Sequence, residues 1–160
     1  MEHAPSWAVA LEASSFAFAL RNSTWIYPAA NLGHIFGLVL LAGSIIVLDL
    51  RVLGFARAID IAALSRLVTP IAAFGFALQL ATGSLLFTAD ASAMASNPVF
   101  WTKMVLLTLV IVNAIAFRQL WNSRLPAWDT ASNAIARLQA SVSMVLWLGI
   151  ASAGRLIAYF

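Results

Sequence analysis

Long apolar runs without charge divide this sequence into segments. The first runs for twenty residues from Ala29 to Leu48 and is followed by Asp49, Leu50 and Arg51. At about 1.5 Å per helical residue, twenty residues cover roughly 30 Å, which is the thickness of the hydrocarbon core of a bilayer. The pattern therefore predicts a membrane-spanning helix.

Three further apolar segments are long enough to cross a bilayer, and they give predicted spans at 67–89, 98–120 and 132–159 beside the first at 29–53. The third span is strictly uncharged only from Met104 to Phe117, so we expect Lys103 and Arg118 to extend toward opposite surfaces. A loop of small residues, Asp90 to Asn97, separates the second span from the third. Asn97 followed by Pro98 is typical of an N-cap and a first helical position. The fourth span is expected to be capped by Asp129 or Thr130.

The segment before the first span has a different pattern. Within residues 5–21, Trp7, Leu11 and Phe18 recur at spacings of four and seven, while Glu12 interrupts the apolar run. Such a segment is too short to span but suits an amphipathic helix in the plane of the interface. The acidic start of the chain argues against a signal peptide, so we expect the segment to stay in the mature protein.

Composition places the whole chain in a membrane. Of 160 residues, 62% are hydrophobic and 9% are charged, and the mean hydropathy is +0.93. An average soluble domain carries about 25% charged residues. The sequence therefore predicts an all-α integral membrane four-helix bundle, a single domain over residues 1–160, with an N-terminal interfacial amphipathic helix.

Charge and cysteine content exclude several functions. The nine basic residues are scattered singly, without the clustered stripe that nucleic-acid binding requires. The absence of cysteine excludes disulfides, thiolate metal ligands and cysteine nucleophiles.

The arginines instead predict topology, because one set of loops carries six basic residues and the other set three. The first set is Arg51, Arg57, Arg66, Arg118, Arg124 and Arg137; the second is Arg21, Lys103 and Arg155. We expect the first set in the cytoplasm, and both termini in the periplasm.

His34 is an ionisable residue inside the first span, and intramembrane ionisable residues are often functional. Matching antiparallel spans by depth places Thr82, Lys103, Met104 and Arg155 in the same outer layer. Gly33 and Gly37 flank the histidine four residues apart, a small-xxx-small pair that admits a second helix or a flat ligand.

Four interpretations of this layer stay open. In the first, His34 ligates haem b between the glycines, and Lys103 or Arg155 pairs with a propionate. Because His3 lies in the N-terminal tail, the second ligand is Met104, a symmetry-related His34, or none. In the second, His34 with Met104, or with Met94, binds copper. In the third, the layer receives an anionic or quinone-like headgroup. In the fourth, the bundle holds no cofactor, His34 bonds a serine, threonine or carbonyl group, and Lys103 pairs with Asp90.

A succession of short motifs extends along nearly the whole chain. They are Leu11-Glu12, Trp25-Ile26-Tyr27-Pro28, His34-Ile35-Phe36-Gly37, Asp49-Leu50-Arg51, Leu53-Gly54, Thr82-Gly83-Ser84-Leu85-Leu86-Phe87, Asn97-Pro98-Val99-Phe100 with Lys103, and Gly154-Arg155-Leu156-Ile157-Ala158-Tyr159. This succession resembles an uncharacterised family of small bacterial inner-membrane proteins. The resemblance implies four spans, an inner-membrane location and no established activity.

A looser similarity links the order of His34, the Thr82-Gly83 motif and Lys103 to the membrane domain of copper-resistance protein D and to four-helix b-type cytochromes. The similarity carries over only His34 as a ligand. We therefore expect a non-catalytic accessory membrane protein whose outer pocket around His34 binds haem b or a quinone in electron transfer. Copper transport or tolerance and a purely structural anchor are the alternatives. The expected partners are lipid and either further copies of the chain or a larger membrane complex.

Overall fold

The computed structural model describes residues 4–130 and 133–159, in which all regular secondary structure is helical, as predicted. His3 therefore lies outside the described residues. The helices are α1 (Ser6–Glu12), α2 (Ser15–Asn22), α3 (Ile26–Leu53), α4 (Ile61–Ala89), α5 (Ala91–Ser96), α6 (Pro98–Trp121) and α7 (Ala134–Leu156), with 3-10 segments at Asn122–Thr130 and Ile157–Tyr159.

Four helices, α3, α4, α6 and α7, are long and apolar enough to cross a bilayer. The protein is therefore a multi-pass membrane protein. Helix α3 packs between α4 and α7, and α6 packs against α7, whereas α4 and α6 barely touch along their length. The four spans thus follow the order α4, α3, α7, α6, and a gap stays between α4 and α6. Large apolar side chains such as Leu32, Val145 and Leu148 point outward, as contact with lipid requires.

Helix α4 begins at Ile61, earlier than the predicted residue 67. The Asp60 side chain caps it by accepting a hydrogen bond from the backbone N–H of Ala63 at 2.6 Å. The first turns of α4 therefore include Arg66. The uncharged run begins after this residue, but a charged side chain near the end of a span can extend to the headgroups, so Arg66 does not prevent the helix from forming. Pro70 consequently lies inside the helix and not in its first turn, a position that membrane helices tolerate.

The caps of the later spans are only partly as predicted. Asn97 caps α6, its Oδ1 accepting from the N–H groups of Val99 (2.9 Å) and Phe100 (3.3 Å), which confirms that prediction. Helix α7 is capped by Asn133, not by Asp129 or Thr130. Asp129 instead forms an ion pair with Arg51. Residue 132, the predicted start of this span, lies outside the described residues.

The predicted interfacial helix over 5–21 is two helices, because the chain is interrupted between Glu12 and Ser15. Ser14 is extended and its hydroxyl caps α2 by accepting from the N–H of Ala17 at 3.2 Å. Phe18 of the predicted apolar face is 63% exposed, so this side chain does not pack on the bundle. The buried residues of these two helices are Ala8, Ala17 and Leu20.

The predicted loop between the second and third spans is largely helix α5. Its alanines favour a helix, and Ala91 and Ala95 pack against Ala8 of α1. Leu11 and Phe87 border this alanine cluster. The N-terminal segment is thus docked on the end of the bundle that holds Asp90.

The six arginines assigned to one side lie together at the opposite end. Arg51 is almost fully buried; its Nε donates to the carbonyl of Ile59 at 2.7 Å, and its Nη2 bonds Asp129 at 2.6 Å. Arg137 donates to the carbonyl of Leu53 at 2.7 Å. These bonds join the α3–α4 connection to the segment before α7 and to α7 itself.

Candidate functional site

The His34 ring is held by helix α4. Its Nδ1 lies 3.1 Å from the hydroxyl oxygen of Thr82, and that hydroxyl lies 2.6 Å from the carbonyl oxygen of Leu78. The Gln79 side-chain amide also donates to the backbone carbonyl of His34 at 2.9 Å. Two hydrogen bonds therefore fix the height and the rotation of α3 against α4 at this residue.

The hydrogen-bond network assigns the tautomer of the ring. A threonine hydroxyl has one proton, and here the short contact to Leu78 uses it. Thr82 can then only accept from His34, so Nδ1 carries the ring proton and Nε2 keeps its lone pair. A neutral imidazole oriented in this way can accept a hydrogen bond or ligate a metal through Nε2.

The glycines beside His34 serve the contact between α3 and α4. A Cβ on Gly33 would lie 3.0 Å from Cγ2 of Thr82, and one on Gly37 would lie 3.1 Å from the carbonyl oxygen of Gly75. A Cβ on Gly75 would lie only 2.6 Å from the backbone nitrogen of Leu41. Helix α4 therefore fills the glycine face, which the haem interpretation had assigned to a porphyrin.

Lys103 of α6 approaches the same layer from the other side. Its Nζ is directed to α7, where a Cβ on Gly154 would lie 3.8 Å away. Across the described residues, Lys103 has no ion pair. The predicted pair with Asp90 is wrong, because the Asp90 carboxylate accepts a hydrogen bond from the Tyr27 hydroxyl at 2.8 Å.

Arg155 and Met104 are less closely tied to His34. The Arg155 guanidinium donates to the Tyr159 hydroxyl at 2.7 Å and stacks on that ring. Met104 is half-buried on α6, and its backbone carbonyl accepts a hydrogen bond from Thr108. Within residues 4–130 and 133–159, no three histidine, aspartate or glutamate side chains are grouped to hold a metal ion.

The structure adds Asp49 to the candidate site residues, whereas the sequence pattern indicates only that this residue ends the first apolar run. Asp49 is 7% exposed and lines a cavity together with Ser143 of α7. Among the residues that the structure describes, the carboxylate oxygen Oδ2 has no hydrogen-bond partner, and the same is true of Nε1 of Trp147, which is also buried. Two buried polar atoms without partners are unusual in a native interior.

Both atoms belong to residues that line a cavity of about 240 Å³. Its floor comes from α3 and α7, and its sides come from α4 and α6, where those helices leave the gap between them. Asn113 and Arg118 also line it. A sequence signal for this site exists, since the stripe from His34 through Leu41 and Ile45 reaches Asp49 in one more helical step of four.

The fold and these sites define a class: a multi-pass α-helical membrane protein with polar groups buried at two depths between its spans. The profile of a family of unknown function, DUF6644, matches residues 10–160, so the chain belongs to that family. This agrees with the expected uncharacterised family. Searches of curated proteins and of solved structures found no match.

Proposed function

We propose that this protein is an accessory, non-catalytic membrane subunit whose outer layer binds the headgroup of a quinone. One observation carries the proposal: Thr82 holds Nδ1 of His34, which leaves the Nε2 lone pair available in the layer that contains the unpaired Lys103. An acceptor and a cationic donor are complementary to a quinone headgroup.

The chemistry of the two side chains suits both redox forms. A hydroxyl of the reduced form donates to Nε2 of His34, and the Lys103 ammonium stabilises a carbonyl or a negatively charged oxygen. Burial strengthens both interactions because the surrounding dielectric constant is low. The protein then holds the quinone for electron transfer with a partner complex.

Haem b and copper fit the same residues less well. Helix α4 already contacts Gly33 and Gly37, so a porphyrin lacks the face proposed for it. The positive charge of Lys103 opposes a copper ion beside His34. The similarity to copper-resistance protein D and to b-type cytochromes makes both cofactors outcomes that the experiment must distinguish.

The proposal includes the location and the assembly. We place the protein in a bacterial inner membrane with both termini in the periplasm, because the six arginines at one end favour the cytoplasm. The outer layer around His34 then faces the periplasmic leaflet. Helix α6 packs mainly on α7, which leaves much of its apolar surface for lipid, a second copy of the chain or a larger complex.

Quinone extraction tests the proposal. The protein is purified in a mild detergent, extracted with organic solvent, and its quinone content is measured by chromatography and mass spectrometry. We expect stoichiometric quinone in the native protein and a loss of at least about ten-fold in His34→Ala and Lys103→Gln. Arg155→Gln is the matched control, since that cation bonds Tyr159, and it should keep the quinone.

Spectra and metal analysis of the same samples separate the alternatives. A Soret band that is lost in His34→Ala would show that the site binds haem b and not a quinone. Stoichiometric copper that depends on His34 and Met104 would show that the site binds copper. Quinone that is equally abundant in all variants and in blank micelles would leave a structural anchor and overturn the proposal.

A further inference from the structure

Asp49 is a buried carboxyl group with no cationic partner among the described residues. Among the residues that the structure describes, no arginine or lysine forms an ion pair with it. The guanidinium of Arg118 lines the same cavity but bonds the hydroxyl of Thr69 on α4. Isolating a carboxylate from water is expensive unless a cation or several hydrogen-bond donors compensate for it.

The surroundings of Asp49 are mainly apolar. The cavity walls include Leu41, Val68, Phe76 and Val110, with the Trp147 indole on the α7 side. Helices α4 and α6, which form the two sides of the cavity, make few close backbone approaches and are joined there by the hydrogen bond from Arg118 to Thr69.

We infer that this cavity is a second binding site, which takes a compact lipophilic ammonium ion from the bilayer. The ammonium donates to Oδ2 of Asp49 and supplies the missing positive charge, while the hydrocarbon body fills the apolar walls. The aromatic surface of Trp147 adds attraction for a cation. Asp49 lies fifteen residues after His34 on α3, roughly 22 Å along the helix axis, so this site is independent of the quinone proposal.

A neutral alcohol is the strongest competing ligand. A hydroxyl both donates and accepts, so it can serve Oδ2 of Asp49 and Nε1 of Trp147 together. It cannot stabilise the ionised carboxylate, however, whereas an ammonium both donates to Oδ2 and supplies the compensating charge. Charge therefore favours the ammonium over the alcohol.

Two probes with the same hydrocarbon body separate these ligands. We expect 1-adamantylamine to bind the purified protein saturably by isothermal titration calorimetry, at least about ten-fold more tightly than 1-adamantanol. Asp49→Asn keeps the shape of the side chain and should weaken amine binding by a similar factor. Asp60→Asn is the matched control at the same end of the bundle; asparagine still caps α4, so amine binding should not change.

A second variant keeps the test decisive if Asp49→Asn does not fold. Ala114→Phe fills the cavity from α6 and leaves Asp49 in place, and it should also abolish binding of the amine. Helical circular dichroism and gel filtration verify that each variant folds. Equal affinity for the alcohol, unchanged amine binding in Asp49→Asn or Ala114→Phe, or only unsaturable partitioning would overturn the inference.

Discussion

At the scale of single residues, Arg51 shows how a charge can hold loops together at the end of a bundle. Its side chain is 2% exposed and donates to the carbonyls of Ile59 and Arg57 and to the carboxylate of Asp129. Arg51→Gln removes these charge-assisted hydrogen bonds and the packing of a buried side chain, so we expect a loss of about 3 kcal/mol in the free energy of unfolding. Unfolding of the purified protein by added SDS, followed by circular dichroism, measures this loss.

Asp129→Asn is the control for that prediction. The Asp129 side chain is 57% exposed, so water screens its attraction to Arg51 and solvates it when the pair is lost. We expect a much smaller loss than in Arg51→Gln. Equal losses would mean that the ion pair, and not the carbonyl contacts, accounts for the effect of Arg51.

Glu12 makes the docking of the N-terminal segment sensitive to acid. The N–H of Ser92 donates to its Oε2 at 2.7 Å, and this hydrogen bond lowers the pKa of Glu12 in the folded protein. The bond therefore stabilises docking above the pKa of the unfolded chain and is lost as the pH falls through the lower folded pKa. We expect α1 to detach as the pH falls through this lowered pKa of Glu12.

A nitroxide on a single introduced cysteine measures this detachment. The chain has no cysteine, and Ala10 is exposed on α1, so Ala10→Cys gives one labelling site. The electron paramagnetic resonance spectrum should show greater mobility in acid. Adding Glu12→Gln should give the mobile spectrum already at neutral pH; an immobile label in that double variant would contradict the prediction.

Single residues also show what the sequence could predict about the sites. Depth along antiparallel spans predicts that His34, Thr82 and Lys103 share one layer; the structure joins His34 to Thr82 by a hydrogen bond and directs Lys103 to α7. Depth does not determine which way a helix is rotated, so it equally includes Arg155, which bonds Tyr159. Asp49 is not predicted as a site residue because a charge at the end of an apolar run is interpreted as a topology signal. It nevertheless lies on the same face of α3 as His34, one helical step beyond Ile45.

At the scale of elements, the crossing of α3 and α4 depends on glycines in close contact. A Cβ on Gly75 would lie 2.6 Å from the nitrogen of Leu41 and 2.9 Å from the carbonyl oxygen of Gly37. Gly75→Ala must therefore push the helices apart, and we expect a loss of about 2 kcal/mol in the free energy of unfolding. The same SDS titration measures it.

Gly43→Ala is the matched control within α3, because no atom of a neighbouring residue lies within 4 Å of the position that its Cβ would take. Alanine has the higher helix propensity, so stability should stay the same or rise by up to about 1 kcal/mol. Equal destabilisation by both substitutions would mean that helix packing at Gly75 is not the cause. The prediction also separates packing glycines from glycines that merely occur in a span.

The elements themselves are predictable to different degrees. Twenty apolar residues have few alternatives to a span, and asparagine before proline specifies the start of α6. The start of α4 is harder to predict because Arg66 ends the uncharged run without ending the helix. Helix α5 is harder still because its small residues favour either a loop or a helix, and only contact with α1 selects the helix.

At the scale of the whole molecule, the two polar sites lie at different depths and depend on different pairs of helices. The His34 layer is fixed by the close contact of α3 with α4, whereas the Asp49 cavity exists because α4 and α6 stay apart. A substitution that closes the gap is therefore expected to affect the second site alone. Sequence patterns alone could not show this gap, since apolar periodicity does not specify which spans are neighbours.

The orientation of the molecule decides which compartment each site faces. Ala93 is exposed on α5, and Ser123 is exposed at the arginine-rich end. Because the chain has no cysteine, Ala93→Cys and Ser123→Cys each give a single target for a membrane-impermeant maleimide. The arginine distribution predicts that intact spheroplasts label position 93 alone and that position 123 reacts only after permeabilisation. The reverse pattern would place the His34 layer on the cytoplasmic side, where a quinone would exchange electrons with a cytoplasmic rather than a periplasmic partner.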